Sequence, residues 1–537
     1  MEVIKNLNFE YKRWTIGNII VGLILLLPIA TLIFNLFKSE NTSLKYLWEN
    51  LLLSYSLNTI YLVLISSLSA IIFGVFPAWI ISNYSFKYRK TYDILLFLPL
   101  SIPTYIMAFT YSDLLSFTGP IQSFSREYFP GFADIINRDY LQIEILGVLL
   151  GLALYPYIYT AARISFNYLG STYIDVSKTL GLSTLKTFWK VILPLSIPAI
   201  ISGLFLVIME VLNEYGAVKY FGVNTYTTGI FRAWFSMGET QTAIQLACLL
   251  LFFVLILFLI EKKLTSKNKF FYPLNSRIQK LSKINKKNLI ISHIICLFPI
   301  LFGFIVPVIF LINNSLSIIN TINFNELSIL LINSLSVSGL SSFLIVLIAL
   351  IFIFVENISK SKINKLITQF ISLGYALPGA VIGLGLIIFF SNLQKSFLSI
   401  SLIGSFFILI YAYIVRFLAV GISPIRSNTK KHPDTINEVA ITLGLSPLKM
   451  LQKIYLPINK FALISAFILT FVDLLKELPI TLILRPFNFD TLATQTYQFA
   501  IEEMLRESSI YSLSIIFLGC IMLLILKKIL NKQLDVS

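Results

Sequence analysis

Charge is what this chain has least of. Only 13% of its 537 residues are Asp, Glu, Lys or Arg, where a soluble protein carries about a quarter. Histidine and cysteine are scarce too, with two and three residues. His293 and His432 stand far apart, which counts against a histidine-based metal or proton site, and Cys248, Cys296 and Cys520 are too dispersed for a metal knuckle or a disulfide framework. The cysteines read as small hydrophobes. No G-x-x-x-x-G-K-[ST] phosphate loop, nucleophile elbow or zinc-helix motif occurs, so nothing argues for an enzyme within this polypeptide. The alternating ten-residue pattern of an outer-membrane barrel is also missing.

What is abundant is apolar sequence: 57% of residues are hydrophobic and the mean hydropathy is +0.83. Runs near twenty apolar residues recur along the whole chain, the length that crosses a bilayer as a helix. Twelve spans are expected near 17–37, 55–82, 92–116, 144–164, 193–213, 241–260, 290–312, 332–355, 366–391, 400–422, 459–479 and 509–526. The first apolar stretch, Ile16 to Phe37, exceeds a signal-peptide core and has no small-x-small cleavage pattern after it, so it reads as an uncleaved anchor. With both termini inside, the outer loops carry only Lys38, Lys45, Arg126, Arg138, Lys219, Arg232, Lys395, Lys476, Arg485 and Arg506 of the 42 basic residues. That is a three-to-one bias toward the inner side, which sets the orientation. The net charge of +16 is thereby a topology signal, helped by anionic inner-leaflet lipid, and nucleic acid is not an expected partner.

The chain contains two copies of one unit. Asp175-Val-Ser-Lys-Thr-Leu-Gly181-Leu-Ser183 is followed by Ile192-Leu-Pro194, and Glu438-Val-Ala-Ile-Thr-Leu-Gly444-Leu-Ser446 by Tyr455-Leu-Pro457, a constant offset of 263. Upstream, Asn58 matches Asn333 and Pro103 matches Pro378 at an offset of 275, so the first copy has twelve extra residues, most easily around Phe117–Ile143. Six spans separate the copies, which makes the repeat parallel. Each repeated block lies between the fourth and fifth spans of its half, on the inner side. Gly181 and Gly444 suit the left-handed residue that ends a helix. Ser183 and Ser446 suit N-caps of a second short helix, with Pro447 at its first position, and Pro194 and Pro457 mark re-entry into the membrane. The expected shape is a helix–turn–helix at the inner face, once per half. An ordinary loop that drifted little after duplication is the plainer alternative.

These blocks resemble the EAA loop of ABC importer permeases of the binding-protein-dependent kind. The second half keeps Glu438, Val439 and Ala440; the first departs to Asp175, Val176 and Ser177; both keep the Gly and the Leu-Pro. The stretches Asn213–Trp234 and Leu475–Ala493 further resemble the fused ferric-iron permeases, a group whose relatives move thiamine, polyamines or sulfate. The resemblance implies an all-α polytopic protein with two type I ABC permease domains. The divisions are a tail, anchor and outer loop at 1–53, a first domain at 54–261, a basic linker with the seventh span at 262–330, a second domain at 331–528 and a tail at 529–537. It implies an inner-membrane permease working by alternating access, with coupling loops built on Asp175, Gly181, Ser183, Pro194, Glu438, Gly444, Ser446 and Pro457. These would engage two copies of a cytoplasmic ATPase that uses ATP and Mg, while an external binding protein delivers solute. This chain itself would bind no cofactor. An ion-coupled secondary transporter is the rival class, and thiamine or a polyamine the rival cargo.

One acidic constellation obeys the repeat. Glu210 maps onto Asp473 and Glu214 onto Glu477, each pair spaced i, i+4 and so expected on one face of the fifth span. Sixteen residues from Pro194 to Glu210 make about 24 Å of helix, which puts the acids near the outer interface. Carboxylates within a membrane suggest function, and oxygen ligands suit a hard cation such as Fe³⁺, with transient contact and no fixed metal site expected. The competing reading makes them helix-end groups in water, or ion-paired with Lys219, Lys476 and Arg485. Arg416 is expected to snorkel toward the headgroups. Gly379, Gly383 and Gly385 suggest close helix packing, and Glu502, Glu503 and Glu507 an ordinary solvated loop.

Overall fold

The computed structural model describes residues 2–36, 49–131, 136–266, 281–283, 286–359, 361–396, 402–430, 432–433 and 435–536. Part of the basic linker, residues 267–280 and 284–285, lies outside the described residues. Helix dominates because a chain this apolar must close its own backbone hydrogen bonds in lipid. Among the described residues nine helices are long and apolar enough to cross a membrane: Lys12–Leu36, Leu52–Asn83, Ile143–Asn167, Thr184–Asn213, Thr240–Thr265, Leu289–Ser317, Phe324–Ser359, Phe406–Thr429 and Leu505–Ile529. Counting each of three bent pairs as one span brings the number among the described residues to twelve. Arg89–Ser101 with Thr104–Tyr128 is bent by 93°, Lys362–Ala376 with Gly379–Gln394 by 112°, and Pro447–Ile458 with Lys460–Leu475 by 77°.

The third span of each half is thus broken, where a continuous helix was expected. The matched prolines are the cause. Ile102 (ψ 115°) and Leu377 (ψ 131°) are extended, because a proline's Cδ drives the preceding residue out of the helical region. The eleventh span breaks at Asn459, whose fully buried amide accepts from Asn428 Nδ2 (3.1 Å) and Thr429 Oγ1 (3.2 Å) and donates to the Tyr455 carbonyl (3.0 Å). At the matched positions of the first half, Ser165 Oγ donates to Ser196 Oγ at 3.1 Å and the helix runs through. One polar pair therefore joins the fourth and fifth spans of both halves, as two serines or as two asparagines.

The structure divides into two units. One comprises Met1–Glu40, Phe324–Thr494 and Ile521–Ser537; the other comprises Asn41–Asn323 and Gln495–Cys520. In the first of these, the chain's opening span packs on the second half of the sequence. Thr31 Oγ1 donates to the Gly385 carbonyl (3.0 Å), Asn18 Nδ2 to Asn364 Oδ1 (3.3 Å), and Trp14 meets Phe354 edge-on at 5.5 Å. A Cβ on Gly385 would come within 2.4 Å of the Pro28 carbonyl oxygen, so only glycine permits that approach. In the other unit the seventh span packs on the first half. Phe298 stacks on Phe73 at 5.6 Å, and Asn314 Nδ2 donates to Asp113 Oδ2 at 3.2 Å.

Helix packing confirms the register of the repeat. A Cβ on Gly74 would sit 3.0 Å from Ile158 Cβ; in the second half a Cβ on Gly421 would sit 2.8 Å from Ile345 Cγ2 and 3.4 Å from Ala349 Cβ. Positions 74 and 349, and 158 and 421, are the same pair of sites under the offsets of 275 and 263. The small residue has changed helices while the close crossing has stayed.

Candidate functional site

The two repeated blocks fold as near-identical helix–turn–helix elements. In the first, the long helix Ile143–Thr179 ends at Gly181 (φ +74°), with the Leu182 N–H bonding back to the Ser177 carbonyl at 3.0 Å. In the second, Thr435–Thr442 ends at Gly444 (φ +71°), with Leu445 N–H on the Ala440 carbonyl at 3.1 Å. This is the closure expected of a left-handed helix stop, and the glycine is required by its backbone conformation, since a Cβ there would meet nothing within 4 Å. Ser183 caps the helix Thr184–Thr187 with its side chain, at 3.5 Å from Lys186 N. Ser446 adopts the same cap backbone before Pro447–Met450 but makes no side-chain cap bond, and proline occupies the first helical position.

Each element then passes through a π-helical turn, Phe188–Ile192 or Leu451–Tyr455, immediately before the Leu-Pro. The widened turn relieves the clash between a proline ring and the carbonyl four residues back. Aromatic packing seats both elements: Trp79 lies 4.8 Å from Phe188 and 5.7 Å from Phe166, and Phe354 lies 4.9 Å from Tyr455. Outward, the elements show matched apolar side chains: Val176 and Val439, Leu180 and Leu443, Leu185 and Leu448 are all exposed. Lys186 and Lys449, and Lys190 and Lys453, recur beside them, and Asp175 and Glu438 are exposed. Each element thus presents three exposed apolar side chains together with a carboxylate and two lysines.

The acidic pairs lie at the far ends of the fifth spans. Glu210 is half-buried and helical; Glu214, Asp473 and Glu477 are buried. The helices stop at Asn213 and Leu475, so Glu214 and Glu477 do not share a helical face with Glu210 and Asp473 as expected. Instead each turns to cap the next short helix. Glu214 Oε1 accepts from Ala217 N–H (2.9 Å) at the start of Gly216–Tyr220, and Glu477 Oε1 from Ile480 N–H (3.1 Å) at the start of Pro479–Leu484. Their backbone carbonyls each accept a threonine hydroxyl, Thr227 at 3.0 Å and Thr481 at 2.8 Å. The remaining donors differ. Glu214 Oε2 accepts from Thr104 Oγ1, whereas Glu477 Oε1 accepts from Arg416 Nη1 at 3.2 Å. Arg416 is only 2% exposed and does not reach for headgroups. Asp473 is ion-paired with Lys476 at 2.9 Å, as one reading anticipated, but Arg485 pairs with Asp490.

Beyond the short helices the symmetry resumes. Asn58 Nδ2 donates to the Asn224 carbonyl and its match Asn333 Nδ2 to the Asp490 carbonyl, both at 3.0 Å. Thr225 and Thr228 form a capping box, and Thr491 and Thr494 repeat it. The Tyr215 ring stacks on Phe231 at 3.6 Å; burial pushes the phenols of Tyr215 and Tyr497 above their usual range. Among the described residues no group of three His, Cys, Asp or Glu side chains could hold a metal ion.

The sequence pattern of the binding-protein-dependent transport system inner membrane component matches residues 70–268 and again 353–536. The chain belongs to this family of multi-pass membrane transport components. Each match contains one helix–turn–helix and one pair of acidic positions, so the repeat read from spacing is a repeat of the family domain. Along its length this permease is 26% identical to the Fe(3+)-transport system permease protein FbpB 2 of Haemophilus influenzae, over 95% of this chain and 97% of the relative. The sulfate transport system permease proteins CysT of Salmonella typhimurium and of Synechocystis are 29% and 28% identical, over 38% and 39% of this chain and 72% of each relative. Sequence reasoning missed the partners of the permease's buried carboxylates, Thr104 and Arg416. Their signal was faint: Thr104 follows the matched Pro103, and Arg416 is a charge within a span with no counterpart in the first half.

Proposed function

We propose that this chain is the membrane permease of an ATP-driven importer that moves ferric iron into the cytoplasm. The observation that carries the reading is the end-to-end similarity to a ferric-iron permease, both family domains included, where the sulfate permeases match little more than a third of the chain. Neither a thiamine or polyamine cargo nor ion-coupled secondary transport has a comparable observation behind it. In this reading the protein lies in the bacterial cytoplasmic membrane with both termini inside. Its exposed apolar elements dock two copies of a separate ATPase, which holds ATP and Mg; a periplasmic or extracellular binding protein delivers the solute; the permease itself binds no cofactor. The matched Leu180 and Leu443, Leu185 and Leu448, with basic residues beside them, support the docking role because they are apolar, exposed and duplicated.

Glu210, Glu214, Asp473 and Glu477 are proposed contacts along the iron path. In this conformation Glu214, Asp473 and Glu477 already hold protein donors, so Fe³⁺ would engage those three only by displacing them. The test is uptake of radiolabelled Fe³⁺ by vesicles holding the permease, its ATPase and its binding protein. ATP-dependent accumulation that neither thiamine nor a polyamine competes supports the reading. ATP hydrolysis without iron movement removes iron and leaves the permease. Replacing all four acids with alanine at normal abundance abolishes uptake if they line the path; unchanged uptake ends that role.

A further inference from the structure

The two halves fasten the same joint with different chemistry. In each, a buried carboxylate lies where two helices begin: the second limb of the broken third span, opening at Thr104 or Gly379, and the short helix capped by the carboxylate itself. Three positions correspond under the repeat: 104 with 379, 153 with 416, and 214 with 477. The first half reads Thr, Ala, Glu and the second Gly, Arg, Glu. In the first half the hydroxyl of Thr104 bonds Glu214, and the fourth span carries a buried alanine, Ala153, at the matched position. In the second half the hydroxyl is gone, and the fourth span sends the Arg416 guanidinium to Glu477 instead.

That guanidinium requires glycine at 379. A Cβ there would stand 2.6 Å from Arg416 Nη1, 2.7 Å from Ile480 Cγ1 and 3.0 Å from Glu477 Oε1. The guanidinium cannot yield by swinging into water, since the side chain is buried. Neither difference between the halves is tolerable alone. Arginine without glycine has no room, and glycine without arginine removes the donor that the threonine supplied. Without Arg416 the buried Glu477 keeps the Ile480 N–H but loses its charged partner, and breaking a buried ion pair from one side is strongly destabilising.

We propose that Glu214 and Glu477 are positioning residues which lock the bend of the third span to the segment leaving the fifth, and that Thr104 and the Gly379–Arg416 pair are interchangeable keys to that lock. The joint sets the geometry of the bent span on which transport depends. The inference rests on the chain being a transport permease but on no particular solute.

The experiment is a double-mutant cycle in the second half, run in an Ile480→Ala background because Ile480 also crowds position 379 and its match in the first half is Ala217: Gly379→Thr, Arg416→Ala, and both together, each in the full complex with ATPase and binding protein. Uptake of Fe³⁺ per folded transporter, ATP hydrolysed per ion moved, and the thermal unfolding midpoint are read. Each single variant lowers uptake at least tenfold and raises the ATP used per ion. The double variant, which installs the first half's key, returns both to within about threefold of the Ile480→Ala background, a residual of about 0.7 kcal/mol. A double variant as poor as the worse single one overturns interchangeability. Singles that lower the unfolding midpoint but leave uptake per folded transporter unchanged overturn the positioning role. If the wild type moves no iron, the substrate reading fails separately. The lock is then judged on ATP hydrolysis stimulated by the binding protein and on the unfolding midpoint, in both of which the double variant must still recover what the singles lose.

Discussion

Leu443→Ala isolates the proposed docking surface. Leu443 is 74% exposed and its match Leu180 73%, so neither supports the fold of the permease, and both are free to be covered by a partner. Fully burying a leucine is worth about 1.5–3 kcal/mol. Covering three-quarters of one is therefore worth about 1–2 kcal/mol, of which alanine keeps a small part. At 1.4 kcal/mol per factor of ten, either single variant should weaken ATPase binding about tenfold. Because each element docks its own ATPase copy, a single variant weakens one of the two sites and leaves the other at wild-type affinity, while the pair weakens both sites about tenfold. The assay is equilibrium titration of labelled ATPase subunit onto permease in lipid nanodiscs at fixed salt. Leu68→Ala is the control, an exposed leucine on the membrane-spanning helix Leu52–Asn83, and it should change nothing. The unfolding midpoint should stay put in all variants, since substitutions at bare surface sites rarely exceed about 0.5 kcal/mol. Wild-type affinity in the Leu180→Ala, Leu443→Ala double variant would refute the docking assignment, whatever the transport activity.

Further outcomes follow from the geometry. Gly444→Ala puts a Cβ on a residue at φ +71° and should cost about 1–2 kcal/mol, read as a lower unfolding midpoint, with Gly444→Asn milder. Thr494→Val removes a capping hydroxyl that receives the Thr491 N–H at 2.9 Å and should cost about 1 kcal/mol in the same measurement. Trp79→Ala empties the space against Phe166 and Phe188; about 3–5 kcal/mol is expected, along with loss of ATPase coupling as the helix–turn–helix loses its seat. Tyr215 and Tyr497 have pKa values raised by burial above the ordinary 10.0. Their contribution to stability is whole below about pH 10 and is lost as pH climbs toward the folded values. Alkaline titration should therefore show Tyr215→Phe and Tyr497→Phe losing less stability above pH 10 than wild type.

Much of this architecture is legible in the sequence. The Leu-Pro and Gly spacings located both helix–turn–helix elements, because a left-handed stop and a missing N–H are local constraints that act wherever the chain lies. Pro103 and Pro378 were visible as a matched pair, but a hydropathy window averages over twenty residues and reads straight through a bend. The offset locates the acids but not the direction in which they point. Spacing of i, i+4 predicts a shared face only while the helix lasts, and both helices end one or two residues before the second acid.

By itself the sequence determined the class of protein, its succession of apolar spans and the internal repeat, since each depends on local apolarity, charge bias or spacing along the chain. Only the tertiary structure decided that the first span packs on the second half and the seventh on the first. It alone showed Arg416 bonded to Glu477 across sixty-one residues. The physical reason is the bilayer, whose lipid is as apolar as the helices, so hydrophobicity carries a span into the membrane without telling it which neighbour to choose. That choice is left to the fit of small residues and to buried polar groups that must find partners.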